Sequence, residues 1–175
     1  MALNKDLVVL VDERDEALGT MEKMEAHEKA LLHRAFSVLL FNEQNEWLLQ
    51  RRALDKYHCG GLWTNTCCSH PYPDENTKDA AVRRLQEEMG ISCRLEKAFD
   101  FIYKASFDNG LTEHEFDHVF IGNFSGDPQI NTQEVADWKY ISSEDLKKDM
   151  ATHPEDYTPW FKIIIDKMEK GGYIM

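Results

Sequence analysis

Two thiols and an imidazole stand together at Cys67-Cys68-Ser69-His70, just ahead of a stretch carrying Arg83, Arg84, Glu87 and Glu88 before Gly90. Thiol and imidazole move protons and bind transition metals, guanidinium groups hold phosphate, and carboxylates bind hard cations or move protons. Few structural needs bring that mixture into one segment, which reads as the floor of an active site. Further on, Glu113, Glu115 and Asp117 share one face of a strand with Val119 and Ile121. Carboxylates on a face that continues as core aliphatics are costly unless something pairs with them. Upstream, Arg51, Arg52 and Lys56 collect positive charge, either as a solvated basic end or as an anion site. His27 and His33 are six residues apart. At about 100° per residue they would lie on different sides of one helix. They are therefore either unrelated surface histidines or ligands of one ion, joined across a chain break near Leu31-Leu32.

The elements that must position these groups follow from pattern and punctuation. Leu7–Val11 reads as a short buried strand, Asp12–Gly19 as a polar turn, and Thr20 as the cap of a helix-like stretch containing Lys23. Ala35–Phe41 and Glu46–Arg52 flank Asn42–Asn45 as a hairpin, and His58–Trp63 forms a glycine-bearing approach loop. Asp79–Met89 is predicted helical, with Val82, Leu85 and Met89 as its apolar stripe and Gly90 as its stop. Its Arg83/Glu87 and Arg84/Glu88 pairs fit ordinary surface ion pairs one turn apart. Cys93–Ala105 and Leu111–Phe124 read as strands joined at Asp108-Asn109-Gly110, and Trp138–Ile141 as a shorter one. Ser142 caps a following helix, and Thr158–Lys170 packs as a terminal helix through Trp160, Phe161, Ile164 and Met168.

The chain has 175 residues, 42% hydrophobic and 30% charged, with a net charge of −12. That length predicts one domain, residues 1–175, with a real core. The acidic balance argues against nucleic acid, because phosphate contacts need a basic face. An anionic small molecule remains compatible if local Arg and Lys or a bound cation neutralise it. Met1–Leu10 has no secretory pattern, and no apolar run approaches a membrane span. The four cysteines lack C-x-x-C spacing, so free thiols in a reducing cytoplasm are expected.

The run Ser69-x5-Glu75-x7-Arg83-Arg84-Leu85-Gln86-Glu87-Glu88-Met89-Gly90-Ile91 resembles the Nudix box. Ser69 stands where that box has its leading Gly, and Arg84 where it has a Glu that helps hold metal ions. The chain as a whole resembles type I isopentenyl-diphosphate Δ-isomerases. The matching pieces are Leu32–Ser37, Arg51–Leu54, Trp63–Pro71, Glu113-His114-Glu115 and Tyr157–Trp160. The resemblance implies an α/β Nudix fold, a mixed central β-sheet sandwiched between α-helices. It implies that Cys68 and Glu115 are the catalytic pair, with Tyr103 near the reacting carbons and Trp160 facing a developing cation. It implies a divalent metal site of His27, His33, His70, Glu113 and Glu115. Glu88, aided by the Cys68 carbonyl, would hold Mg²⁺ against the diphosphate, which Lys23, Arg52, Lys56 and Arg84 would contact. Cys67 receives no role.

The implied reaction protonates an unactivated alkene and deprotonates the neighbouring carbon through a tertiary carbocation, so stabilisation on the order of 8–23 kcal/mol is needed. Acid and base must lie on opposite sides of a five-carbon skeleton, each within about 3 Å of its carbon. Cys68 and Glu115 come from distant segments, which permits that arrangement. Trp160 offers a ring face to a cation, worth roughly 2 kcal/mol when desolvated, or else is simply a core anchor. Three imidazoles with carboxylates suit Zn²⁺ or Mn²⁺, whereas a diphosphate with one carboxylate suits Mg²⁺. The expected partner is thus a small allylic or homoallylic diphosphate, with no nucleic acid, membrane or obligate protein partner. Two other readings compete: a Nudix pyrophosphohydrolase, against which Arg84 weighs, and a non-catalytic metal-binding or nucleotide-sensing module.

Overall fold

The structure, a computed structural model, describes residues 5–173. The first four residues of Met1–Leu10 and the last two of the expected 1–175 domain lie outside the described residues. The elements are β1 (Leu7–Val11), β2 (Ala17–Glu22), α1 (Lys23–Glu28), β3 (His33–Phe41), β4 (Trp47–Arg52), β5 (Trp63–Thr64), β6 (Cys67–Ser69), α2 (Thr77–Met89), β7 (Glu96–Ser106), β8 (Thr112–Asn123), β9 (Val135–Ile141), α3 (Ser143–Thr152) and α4 (Pro159–Lys170). No helix among them is long and apolar enough to cross a membrane.

β3 is the hub because its sequence is apolar on both faces. Phe36, Val38 and Leu40 join Cys67, Leu85 and Met89 in the core beneath α2. Leu39 joins Trp47, Leu49, Phe161 and Ile164 in the core beneath α4. A strand buried on both sides belongs in the middle of a sheet. Accordingly β3 runs antiparallel to β1, β4 and β6 and parallel to β8, which gives the expected mixed α/β sheet between helices. α2 is fixed by Asn76, whose side chain accepts from the Lys78 and Asp79 amides, and ends at Gly90 in the left-handed region (φ +65°). α4 starts on Pro159 and buries Trp160, Phe161, Ile164, Ile165 and Met168 on one face.

The hairpin expected at Asn42–Asn45 forms, but β3 and β4 pair only through Leu40↔Leu48 and Phe41↔Trp47. Beyond that, Asn65 and Thr66 act as a wedge. The Thr66 hydroxyl donates to the Leu48 carbonyl (2.6 Å) and accepts from the Leu40 amide (3.0 Å). Asn65 Nδ2 donates to the carbonyls of Val38 (3.2 Å) and Cys67 (2.8 Å). The two strands part there, and β6 enters with Val38↔Cys67, Ser37↔Cys68 and Phe36↔Ser69 in register.

Some boundaries differ from the sequence expectation. Thr20 caps no helix: it pairs with Val9 inside β2, because extending the β1 hairpin satisfies more backbone than a longer helix would. The helix starts at Lys23, and the Glu22 carboxylate accepts from the Glu25 amide (2.9 Å). Val82 is 37% exposed rather than part of the stripe, which Ala80, Ala81, Leu85, Glu88 and Met89 form instead. β7 begins at Glu96 rather than Cys93, and β9 extends back to Val135.

Replacing Asn65 by Leu strips donors from two buried carbonyls at about 1–3 kcal/mol each. Asn65→Leu is therefore expected to lower stability by roughly 2–6 kcal/mol, read as a fall in the urea midpoint at unchanged m-value.

Candidate active site

Strand register arranges the chemistry in rows. His33 of β3, Glu115 of β8 and Tyr103 of β7 stand opposite one another, as do Ala35 and Asp117, and Ser37 and Cys68. These rows open into a cavity of about 520 Å³ that takes residues from both layers around the sheet. Alternation along β6 separates the two thiols. Cys67 is fully buried beneath α2, where its Sγ donates to Glu88 Oε2 (3.2 Å). Cys68 lines the cavity, with Arg52 Nη1 3.8 Å from its Sγ. Burial pushes the Cys68 thiol up to about 12, and the Arg52 charge pulls against it.

Glu115 accepts from the Tyr103 hydroxyl at Oε1 (2.7 Å), while its Oε2 lies 3.5 Å from His70 Nε2. Burial and then the neighbouring charge of Glu113 hold the Glu115 carboxyl well above the usual range. Glu113 shows the opposite balance. Burial opposes its ionisation, but the proton-bearing groups around it, Glu115, His27 and His58, outweigh that and hold it well below. Trp160, in the first turn of α4, lies 6.4 Å ring to ring from Tyr103 and 5.4 Å from the Arg52 guanidinium. The Thr158 hydroxyl is 2.8 Å from that of Thr64, which ties this helix start to β5.

Behind the cavity lies an imidazole cluster. One ligand atom from each of His27, His33, His70 and Glu113 falls within 4.8 Å of all the others. Nδ1 of His27 donates to the Lys23 carbonyl (2.5 Å) and Nδ1 of His33 to the Leu31 carbonyl (2.9 Å). That leaves Nε2 as the free ring nitrogen of each, a lone pair on His33 and, once its extra proton is lost, on His27. His27 Nε2, His33 Nε2, His70 Nε2 and Glu113 Oε2 are buried without a hydrogen-bond partner among the described residues. Unpaired acceptors at such density are expensive, and a divalent cation satisfies all four at once. Burial pushes His33 down to about 4 and His70 well below its ordinary value, so both are neutral, as ligands must be. For His27 burial acts the same way, but Glu113 reverses it and raises the imidazole. That proton is the one a cation must displace.

At the other end gather the cations. Arg84 Nη2 reaches Glu88 Oε1 (2.6 Å) and Nη1 reaches Glu87 (2.7 Å), while Lys56 pairs with Glu134. Glu88 is 4% exposed, and its Oε2 also accepts from Gln50 Nε2 (3.0 Å). Lys23, Arg52, Lys56 and Arg84 all line the cavity, as do Cys68, His70, Glu88, Tyr103, Glu113, Glu115 and Trp160. Of the residues given a catalytic, substrate or metal role from sequence, His27 and His33 stand outside its wall, both buried. Glu115 lies beside the four-residue cluster rather than within it. Sequence reasoning missed His58, whose Nε2 meets Glu113 Oε1, and Asp117's pairing with Ser37 (2.8 Å), burial pushing that carboxyl up to about 8. A histidine just ahead of Gly60-Gly61, in a loop leading into the cysteine segment, was the available signal for the first.

The NUDIX domain family model matches residues 31–161. Isopentenyl-diphosphate Delta-isomerase 2 of Aromatoleum aromaticum is 51% identical over 164 residues, covering 94% of this chain and 87% of that protein. Isopentenyl-diphosphate Delta-isomerase of Pectobacterium atrosepticum is 52% identical over 156 residues, covering 89% and 87%. Among solved structures, a Deinococcus radiodurans protein superposes with a TM-score of 0.69 at 19% identity, covering 83% of this chain and 89% of that one. A MutT NUDIX hydrolase from Burkholderia pseudomallei gives 0.62 at 19%, covering 77% and 96%. At those identities the structural likeness speaks for the fold.

A cation that fills the imidazole cluster binds only the folded chain, and at a hundred times its Kd stabilises it by about 2.7 kcal/mol. Adding Zn²⁺ or Mn²⁺ to chelator-treated protein is expected to raise its melting temperature. His70→Ala should abolish the rise. Because the raised His27 must give up its proton, the rise should shrink as pH falls below neutrality.

Proposed function

This chain belongs to the isopentenyl-diphosphate Delta-isomerase family and carries a NUDIX domain, and on that premise we propose that it interconverts isopentenyl and dimethylallyl diphosphate by proton transfer through a carbocation. The observation that carries the reading is that Cys68 and Glu115 line one cavity from different strands, and that four cationic side chains line it too. Its substrate is a small diphosphate; nucleic acid, membrane and obligate protein partners have no part in the reading, and the cytoplasm suits its free thiols.

Lys23, Arg52, Lys56 and Arg84 take the diphosphate, and the five-carbon chain lies toward Trp160 and Tyr103. One member of the Cys68/Glu115 pair gives a proton to the terminal =CH₂ carbon, and the other removes one from the methylene on the far side of the resulting cationic carbon. The roles exchange in the reverse direction. Tyr103 orients Glu115 through its 2.7 Å hydrogen bond. Arg52, close to the Cys68 sulfur, favours the thiolate whenever that thiol has given up its proton. The Trp160 ring, already stacked near the Arg52 cation, offers the developing carbocation a negative face. A divalent metal serves this family's chemistry. His27, His33, His70 and Glu113, with Glu115 adjacent, would hold Zn²⁺ or Mn²⁺, and Glu88 with the Cys68 carbonyl would hold Mg²⁺ at the diphosphate. Bound there, such ions supply charge neutralisation and a more acidic Glu115.

Cys68→Ala and Glu115→Gln are each expected to abolish turnover, and Cys67→Ala to leave it nearly intact. Arg84→Ala, losing a charge-assisted contact worth about 1.5–3 kcal/mol, should raise KM roughly ten- to a hundredfold without creating phosphate release. The decisive experiment is turnover in D₂O. Isopentenyl diphosphate should yield dimethylallyl diphosphate carrying deuterium in the methyl group formed from the former =CH₂ carbon. Isomer free of deuterium would sink the proton-transfer assignment, and solvent oxygen appearing in phosphate would favour hydrolysis instead.

A further inference from the structure

His58 is the imidazole at the site that the proposed proton transfer leaves without work. The loop that delivers it takes an uncommon path. Cys59 adopts φ +54°, and a Cβ on Gly60 would lie 2.5 Å from the Leu54 carbonyl oxygen. The result is a ring only 6% exposed, stacked on Phe107 at 4.9 Å and edge-on to Trp160 at 5.9 Å. Its Nε2 meets Glu113 Oε1, whereas Glu113 Oε2 is the oxygen left unpaired, 3.2 Å from His27 Nε2.

We propose that His58 is a positioning residue that confines Glu113 to a single oxygen toward the metal ion. The inference rests on the imidazole cluster being a metal site. A free carboxylate binds a cation through one oxygen or two. With Oε1 engaged by an N–H, only Oε2 is available, and three imidazole nitrogens complete a four-donor set. That nitrogen-rich set suits a transition ion. Glu115 Oε2, 3.5 Å from His70 Nε2, stands where a fifth donor would come from. Without His58, Glu113 is free to turn and present both oxygens, and the coordination number rises. Hydrogen bonds to metal ligands typically contribute ten- to a hundredfold in metal affinity, on the order of what is expected here.

The test uses Co²⁺ added to chelator-stripped protein, because four- and five-coordinate Co²⁺ absorbs visible light more strongly than six-coordinate Co²⁺. His58→Phe keeps an aromatic ring to stack on Phe107 but donates nothing; His58→Gln keeps a donor. The Phe variant should bind Co²⁺ roughly ten- to a hundredfold more weakly and show a paler spectrum. The Gln variant should recover the wild-type spectrum and most of the affinity. Wild-type affinity and spectrum in the Phe variant overturn the proposal. So does a Gln variant as impaired as the Phe variant, since that marks a packing role only. Wild-type protein that takes up no Co²⁺, or a His70→Ala variant that keeps it, overturns the metal reading beneath the proposal and the proposal with it.

Discussion

The parallel pairing of β3 with β8 is the constraint on which the site depends. It runs from His33↔Glu115 to Phe41↔Asn123, and it places Glu113, Glu115 and Asp117 on one face with Val119. A slip of one residue would exchange that face for the one carrying Phe116, His118 and Phe120. Three buried carboxylates in a row are tolerable only because each has its own partner. Glu113 has His27 and His58, Glu115 has Tyr103, and Asp117 has Ser37. Those partners come from α1, the 53–62 loop, β7 and β3. Burying the acids in this register and assembling the elements around them are therefore one event.

Charge is distributed with the same economy. A chain of net charge −12 brings Lys23, Arg52, Lys56 and Arg84 to one cavity. Arg84 and Lys56 lean on Glu87, Glu88 and Glu134. The pair with Glu87, itself 42% exposed, is of the kind that contributes about 0–1 kcal/mol, whereas the pair with Glu88 is largely buried. On the proposed function a diphosphate would compete with these carboxylates for the same cations. Glu88 differs from Glu87 and Glu134 in its burial and in its bonds from Gln50 and Cys67, which fix its direction whatever Arg84 does. Cys67 thus has a structural reason to sit beside Cys68 although it faces the opposite layer.

What could be read from the chain was what lies close in sequence or repeats with a period. The box from Ser69 to Ile91 is one continuous turn and helix, and alternation along β8 announced its acidic face before any partner was known. What could not be read depends on distant pairing. The parallel β3–β8 ladder joins residues about eighty positions apart, and nothing local specifies it. The Asn65–Thr66 wedge acts through carbonyls of Val38 and Leu48 that have no sequence signature. Thr20 looked like a helix cap because its hydroxyl suits one, yet strand pairing with Val9 prevailed. Val82 looked like core because it is aliphatic, but small Ala80 and Ala81 let α2 approach the sheet on the neighbouring face. His27 and His33 illustrate both sides: their separation demanded a break between them, and the turn after α1 supplies it at Ala30 (φ +56°).

The same fold serves hydrolases, the MutT protein of Burkholderia pseudomallei among them, so the division of labour must rest on individual side chains. Arg84 is the residue where it can be located. In the Nudix box this position carries a Glu, one of the ligands that assemble cations beside the phosphate. Here a guanidinium occupies it, with Nη2 2.6 Å from Glu88 Oε1. A fixed positive charge there competes with any cation beside Glu88 beyond the one proposed to accompany the diphosphate, because like charges at contact distance repel strongly in a partly buried site. Activating a water molecule against phosphorus needs that cation, whereas holding a diphosphate still needs only positive charge. On the proposed function, an Arg in place of that Glu turns a water-activating corner into an anion-holding one. The reactive end of the cavity would then be left to Cys68, Glu115, Tyr103 and Trp160, facing carbon rather than phosphorus.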